Sequence, residues 1–456
     1  MQKSSPFCNI VYYMNEKFEL KKLGADKLAF LGLFIISLLV AQLMVYAKSA
    51  VVFSDPIELP HTGLSISIPN GRGWVGTNEW RFRNGAFELF SNFKAGRTLP
   101  LATVTCQYLA TSQDINPEAW LRNQSDEPND VAIESGTMKK GSLTVRWAHK
   151  VRRVNTFLGT VELPHNRVVI IEVVENSLAI DMAEKVFKKI IEKLEFKEEN
   201  SIKTGMEIVN EMKSKGLETF INSRNQEAYF LIRDSLNNNL GFTVDVLGKA
   251  SKDISDAGRR IRGASQLFFT GANRQEQNSF FSSDKDLSAY AWQSKSLSRT
   301  DVTTTKIVRD ETGTIKVSAL INNTSGENTY ANRPDVIPTM LLELILDRII
   351  ENDIDEVVLD MIDSSGNLKP ALFSVEHGTR NDEGDEKVIR LEFINGTGAF
   401  ELLYLNDENQ LVKEVIHRDG TYILERTTFE SVQQEFPRQA GDILRREQLF
   451  EDNLFQ

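Results

Sequence analysis

Three stretches of this 456-residue chain carry the letters of known chemistry. Ser282-Ser-Asp-Lys285 fits S-x-x-K, and Lys203-Thr-Gly205 fits K-T-G; both belong to serine acyl-transfer sites, where lysine activates a serine nucleophile. That chemistry needs K-T-G after the serine and a Ser-Asp-Asn element between the two. Here K-T-G lies upstream, no Ser-Asp-Asn intervenes, and the serine sits in a polar stretch, so the match is coincidental. Gly71-Arg-Gly-Trp-Val-Gly76 is a literal G-x-G-x-x-G. A dinucleotide site requires such glycines to open a helix whose N-terminus receives a pyrophosphate. Asn78–Arg83 and the alternating Phe87–Phe90 follow instead, so the spacing predicts a glycine turn leading into a strand.

The five histidines are His61, His149, His165, His377 and His417, with no two closer than sixteen positions. There is no H-E-x-x-H, C-x-x-C or G-x-S-x-G. Asp382-Glu-Gly-Asp-Glu386 is acidic but lacks the alternating ligand spacing of a calcium loop, and reads as a solvated loop. No residue is assigned as catalytic, cofactor-binding or metal-ligating, no cofactor is called for, and the chain is expected not to be an enzyme. The rival is a hydrolase whose triad is dispersed through the sequence, because triads are defined by geometry rather than spacing.

Net charge is −11 with a pI near 5.2, which argues against nucleic acid as a partner. In Lys139–Arg153 a strand period puts Arg146, Lys150 and Arg152 on one face and Val145, Trp147 and Val151 on the other. That basic face reads as a solvated strand face.

The elements that would position any site begin with the apolar run Leu28–Ala47, twenty residues with Gln42 as its one strongly polar member. At about 1.5 Å per residue it matches a bilayer core. Lys17, Lys21, Lys22 and Lys27 precede it and Lys48 follows. The expectation is a single-pass signal-anchor helix in a bacterial inner membrane, with residues 1–27 as cytoplasmic tail and the C-terminal domains outside, in the periplasm. Cleavage after Val45-Tyr46-Ala47 and secretion is the alternative. This topology separates Cys8 from Cys106, which reads as a buried hydrophobe.

The roughly 400 residues after the run favour two domains. Residues 55–198 show strand patterns at Leu64–Pro69, Ala86–Ser91, Leu101–Leu109, Leu143–Val151, Thr156–Leu163 and Arg167–Val174, a helix near Pro117–Arg122, and a closing helix Ser177–Leu194 with a continuous apolar stripe. An antiparallel sheet backed by a long C-terminal helix is an α+β architecture. Its opening strand into Ser67–Trp74 (SIPNGRGW), its Arg167–Val174 strand and its closing Ala183–Phe196 (AEKVFKKIIEKLEF) resemble the PsbP-like fold. That resemblance implies a binding or assembly module and maps no functional residues.

Residues 199–225 form a helical linker, and residues 226–437 a β-rich domain. Strands are expected at Ala228–Arg233, Leu240–Leu247, Arg260–Thr270, Ser288–Lys295, Val302–Arg309, Gly313–Leu320, Glu356–Ile362, Lys369–Glu376 and in a meander from Val388 to Thr427. One helix beginning at Pro338 is apolar over most of its circumference, hence buried. A curved antiparallel sheet with one buried helix resembles the open β-barrel of LolA-like lipoprotein-carrier proteins. Residues 438–456 form a mixed-charge tail.

These features together give the expected function: a membrane-anchored, extracytoplasmic, non-catalytic binding or assembly protein for a lipid, an apolar ligand or an envelope protein partner. The expected lining of the concave surface is Phe268, Phe280, Phe281, Tyr290 and Trp292. A purely structural envelope subunit is the third alternative.

Overall fold

Alternating apolar and polar residues set most elements of this chain, and strands outweigh helices throughout. The computed structural model describes residues 30–37 and 51–443, apart from positions 84–85, 95–98, 110–114, 124–132, 152–153, 166, 177–181, 222–226, 250–260, 271–273, 283–286, 332, 377–386, 395–397 and 419.

The first unit holds β1 (Ile57–Leu59), β2 (Leu64–Ile66), β3 (Trp74–Gly76), β4 (Arg81–Arg83), β5 (Ala86–Phe93), β6 (Ala102–Leu109), β7 (Ile133–Lys140), β8 (Leu143–Val151), β9 (Asn155–Leu163), β10 (Arg167–Glu175) and β11 (Glu195–Phe196). One antiparallel sheet runs β3-β5-β6-β10-β9-β8-β7, with β4 on β5, while β1, β2 and β11 form a small second sheet. β6 shows the pattern well: Ala102, Val104, Cys106 and Tyr108 are buried and the residues between them half-buried. The helix Ala183–Glu192 covers one face through Val186, Phe187, Ile190 and Ile191. It lies so close that a Cβ on Gly159 would meet the Phe187 ring at 2.7 Å. The helix Pro117–Asn123 covers the other face, setting Leu121 among Ala148, Leu158, Val168 and Ile170.

The second unit is one sheet. It comprises β12 (Glu227–Asp234), β13 (Asn239–Lys249), β14 (Ile261–Phe269), β15 (Arg274–Ser282), β16 (Tyr290–Leu297), β17 (Val302–Arg309), β18 (Ile315–Ile321), β19 (Thr324–Tyr330), β20 (Ile337–Pro338), β21 (Glu356–Ile362), β22 (Leu368–Glu376), β23 (Lys387–Phe393), β24 (Phe400–Leu405), β25 (Leu411–His417) and β26 (Thr421–Thr427). β12 pairs with β26, so two meanders leave a common centre and end at β19 and β20. The sheet then curls until its two arms meet. The turn Asp363–Gly366 reaches β18 and β19: the Tyr330 hydroxyl donates to Gly366 O at 3.0 Å, and the Ser364 hydroxyl donates to Glu276 of β15 at 2.8 Å. Gly366 has φ +81° and a Cβ there would lie 2.2 Å from Val317, so this closure needs glycine.

Inside the curl lies the helix Leu342–Glu351, with Leu344, Ile345, Leu346 and Ile349 at most 1% exposed. Each contributes about 1.5–3 kcal/mol by burial. Outside, the helices Phe429–Glu435 and Pro437–Ile443 press Val432, Phe436 and Ala440 onto Leu231, Phe242, Val244 and Phe268.

The two units share a core. The helix Asn200–Lys215 packs on β21 so closely that a Cβ on Gly205 would sit 2.0 Å from Val358 O, and Val358, Leu372 and Ile394 join the first unit's cluster. Arg167 of β10 reaches Asp360 of β21 at 3.2 Å, and Arg333 bridges Asp360 and Asp335. All four are at most 5% exposed. Burial opposes the charge on both arginines, but Asp360 foremost overcomes it and holds them protonated.

Several expectations are corrected. The α+β class is wrong: the chain is mostly β, because polar strands such as β15 and β19 carry no apolar alternation to announce them. The long helix Ser177–Leu194 backing the first sheet is not found; the described helix begins at Ala183 and ends at Glu192. A transmembrane, single-pass signal-anchor helix at Leu28–Ala47, and with it the bacterial inner-membrane and periplasmic placement, is not supported. Among the described residues no helix is long and apolar enough to cross a membrane, and of that run only 30–37 are described, as helix. The alternative of secretion after cleavage at Val45–Ala47, the Asp382–Glu386 loop, His377, Lys285, Arg152 and Cys8 fall on residues outside those described.

Candidate ligand-binding seam

A cleft of about 1160 Å³ opens along the junction of the two units, lined by Phe53–His61, Asn70, Asn78–Phe82, Phe87 and, from the second sheet, Glu392 and Ile394. A second cleft of about 1040 Å³ shares Pro56 and Glu58 with it and continues past Glu195–Ser201 to Ile354–Glu356.

Local chemistry builds these walls. After β1 the chain must reverse at once to form β2. Thr62 donates its hydroxyl to Leu59 O at 2.7 Å, while His61 and Gly63 take φ +57° and +67°. Any Cβ on Gly63 would collide with Lys197 O. Trp80 is fixed as a wall by donating Nε1–H to Ile57 O at 3.2 Å, and its ring is largely buried. Phe82 meets Phe87 edge-on with centroids 5.0 Å apart.

The lining is aromatic at its base and acidic at its rim. In the first cleft Asp55, Glu58, Glu79 and Glu392 outnumber the one guanidinium, Arg81, which lies 3.8 Å from Glu79. The second adds Glu195, Glu198, Glu199, Asp355 and Glu356 against Lys197. His165 sits 2.9 Å from Glu198, and His61 lies 3.5 Å from Glu356. A low-dielectric floor beneath one sign of charge focuses field outward and favours a cationic ligand with an apolar anchor. The buried Arg167–Asp360 contact ties the two walls together.

The residues singled out in the sequence go elsewhere. Gly71 and Gly73 have φ +88° and +96° in a turn before β3, and no helix follows them. Ser282 is fully buried in β15 and donates to Ala289 O, and Lys203–Gly205 lies in the helix packed on β21. His149 stacks on Phe157 at 3.9 Å and His417 lies against Phe400, so neither meets another histidine. Arg146 is half-buried and pairs with Glu162 on the β8 face that also carries the buried Ala148. Among the described residues no three His, Cys, Asp or Glu side chains are placed to hold a metal.

The proposed aromatic lining is corrected. Phe280, Tyr290 and Trp292 are at most 3% exposed and pack as core around the central helix. Phe268 faces the other side, 5.7 Å from Phe436, and Phe281 alternates away from Phe280. The seam itself escaped the sequence because its lining comes from distant segments with no shared local pattern.

No protein-family model matches this chain, and no curated protein matches it. Among solved structures it is similar to the crystal structure of a beta-barrel-like protein of a domain of unknown function, DUF1849, from Brucella abortus. The TM-score is 0.31 at 10% identity, over 44% of this chain and 95% of that one. The PsbP-like resemblance of residues 55–198 finds no support.

Proposed function

We propose that this chain is a non-catalytic binding protein, and that its two-cleft seam takes an extended basic segment of a partner protein. The observation that carries this reading is the aromatic floor and acidic rim of the first cleft, confluent with a second acidic cleft, with walls contributed by both units. Apolar side chains of the segment would rest on Trp80, Phe82 and Phe87, and its lysines or arginines would meet Glu58, Glu79 and Glu392. Electrostatic complementarity of this kind chiefly sets association rate and partner choice. The shared core and buried ion network preorganise the walls, which lowers the cost of binding.

The test is fluorescence anisotropy with a labelled peptide of alternating lysine and leucine, against its glutamate–leucine counterpart. The lysine peptide binds and the glutamate peptide does not. Glu58→Lys and Glu392→Lys each weaken binding at least tenfold, whereas Glu327→Lys, exposed on β19, leaves it unchanged. Equal loss from all three would reduce the effect to net charge and end the proposal.

A further inference from the structure

The helix-facing side of β13, β14 and β15 carries a polar row inside the curl. Asp245 is paired with Ser265, and Ser265 with Asn278. The face is fixed by neighbours two positions along: Leu247 and Phe280 pack on the core around the central helix, and a Cβ on Gly263 would meet Met340 at 3.1 Å. Ser294 and Thr305 extend the row on β16 and β17. Asp245 is half-buried on this face.

Asn278 supplies an independent mark of a ligand. It is 7% exposed, and its Nδ2 donates to Ser265 Oγ at 2.9 Å and to Glu276 Oε1 at 3.1 Å. Glu276 also receives Arg274 and Ser364; burial works to raise its pKa, but these bonds win and keep it ionised. A carboxylate can only accept, so the amide orientation is settled. The Asn278 Oδ1 is then left buried with no hydrogen-bond partner, which is costly for a buried polar group.

We propose that this row is a binding site for a primary ammonium group, seated between the Asp245 carboxylate and the Asn278 amide oxygen, with the Ser265 hydroxyl between them. The three N–H donors of an ammonium match these three acceptors in number. The surrounding charges favour a cation. Glu343 of the central helix faces Asp245, and Glu414 of β25 faces it from across the curl. Glu414 is hydrogen-bonded to Glu401 of β24, which Arg418 holds at 2.7 Å. Arg426 of β26 is engaged with Leu411 O, and Arg274 with Glu276.

Binding is proton-linked. Burial, then Glu343, push Asp245 up to about 7, so the carboxylate that holds the ammonium is lost as pH falls below that value. From the ionised fraction alone, affinity should drop roughly 30-fold between pH 8 and pH 5.5.

The experiment titrates the full chain with methylammonium chloride by isothermal calorimetry at both pH values, with tetramethylammonium chloride and sodium chloride at equal ionic strength as controls. Saturable binding of methylammonium alone at pH 8, weakened at pH 5.5 and at least tenfold by Asp245→Asn, is the expected result. Methylammonium behaving like either control salt on the wild-type chain overturns the proposal, whatever the variant's fold. Unchanged binding in a folded Asp245→Asn variant overturns it equally. This site is separate from the seam, and a negative result here leaves the peptide reading standing.

Discussion

Arg167 and Asp360, 193 positions apart in the chain, meet at 3.2 Å where β10 of the first unit faces β21 of the second. Neither is exposed by more than 5%, and Arg333 binds the same carboxylate. A buried charge left without its partner is far costlier than the pair is favourable. Arg167→Met removes one of the two guanidiniums on Asp360 and leaves Arg333 in place, so it should destabilise the chain by about 1–3 kcal/mol, read as a lower urea midpoint. Because the contact joins both units, tryptophan fluorescence and far-UV circular dichroism should still report one shared transition in the wild-type chain.

Gly205→Ala tests the helix Asn200–Lys215 as a packed element. Alanine normally favours a helix over glycine by about 1 kcal/mol. Here its methyl group would press on Val358 O at 2.0 Å, so the sign reverses. A loss of about 1–3 kcal/mol in chemical denaturation is expected; a gain would mean the helix stands off β21.

Stability should depend on pH through the interior carboxyls. Asp245 is raised to about 7, and Glu414 is raised chiefly by burial and then by Glu401 and Asp245. A raised carboxyl binds its proton more readily folded than unfolded. Its stabilising contribution is complete below the unfolded pKa near 3.8 and is lost as pH climbs through the folded one. Asp245→Asn should thus match the wild type near pH 4 and exceed it by about 1–3 kcal/mol at pH 8. Urea midpoints across that range supply the comparison.

Cys106 lies fully buried in β6, and burial pushes its thiol up to about 12. In a Cys8→Ser background the native chain should resist iodoacetamide for hours at pH 8 and react within minutes in urea. Rapid native alkylation would place Cys106 outside the core.

Much of the strand pattern was legible. Leu143–Val151 and Val302–Arg309 coincide with β8 and β17: β8 alternates an apolar face with a polar one, and β17 is marked by its run of β-branched residues. β15, reading RQEQNSFFS, was not, because the concave face it presents is itself polar through Glu276 and Asn278. β19 (TSGENTY) is an exposed edge with one buried residue, Tyr330, and so leaves no periodic trace. The closing helix was drawn to Leu194 because the apolar stripe continues into that buried residue past Glu192, where the described helix ends. Asp360 did leave a mark that went unread: a lone carboxylate inside the buried run EVVLDMI implies a buried cation opposite. The seam left none, since it exists only where Trp80, Phe82 and Glu392 are brought together by the shared core.

The most direct measurement of the binding account is amide hydrogen exchange of the full chain with and without the lysine–leucine peptide. The account predicts protection at residues 53–61, 78–82 and 392–394, with β18 and β19 unchanged. Protection confined to β19, or spread evenly over the acidic surface, would contradict it.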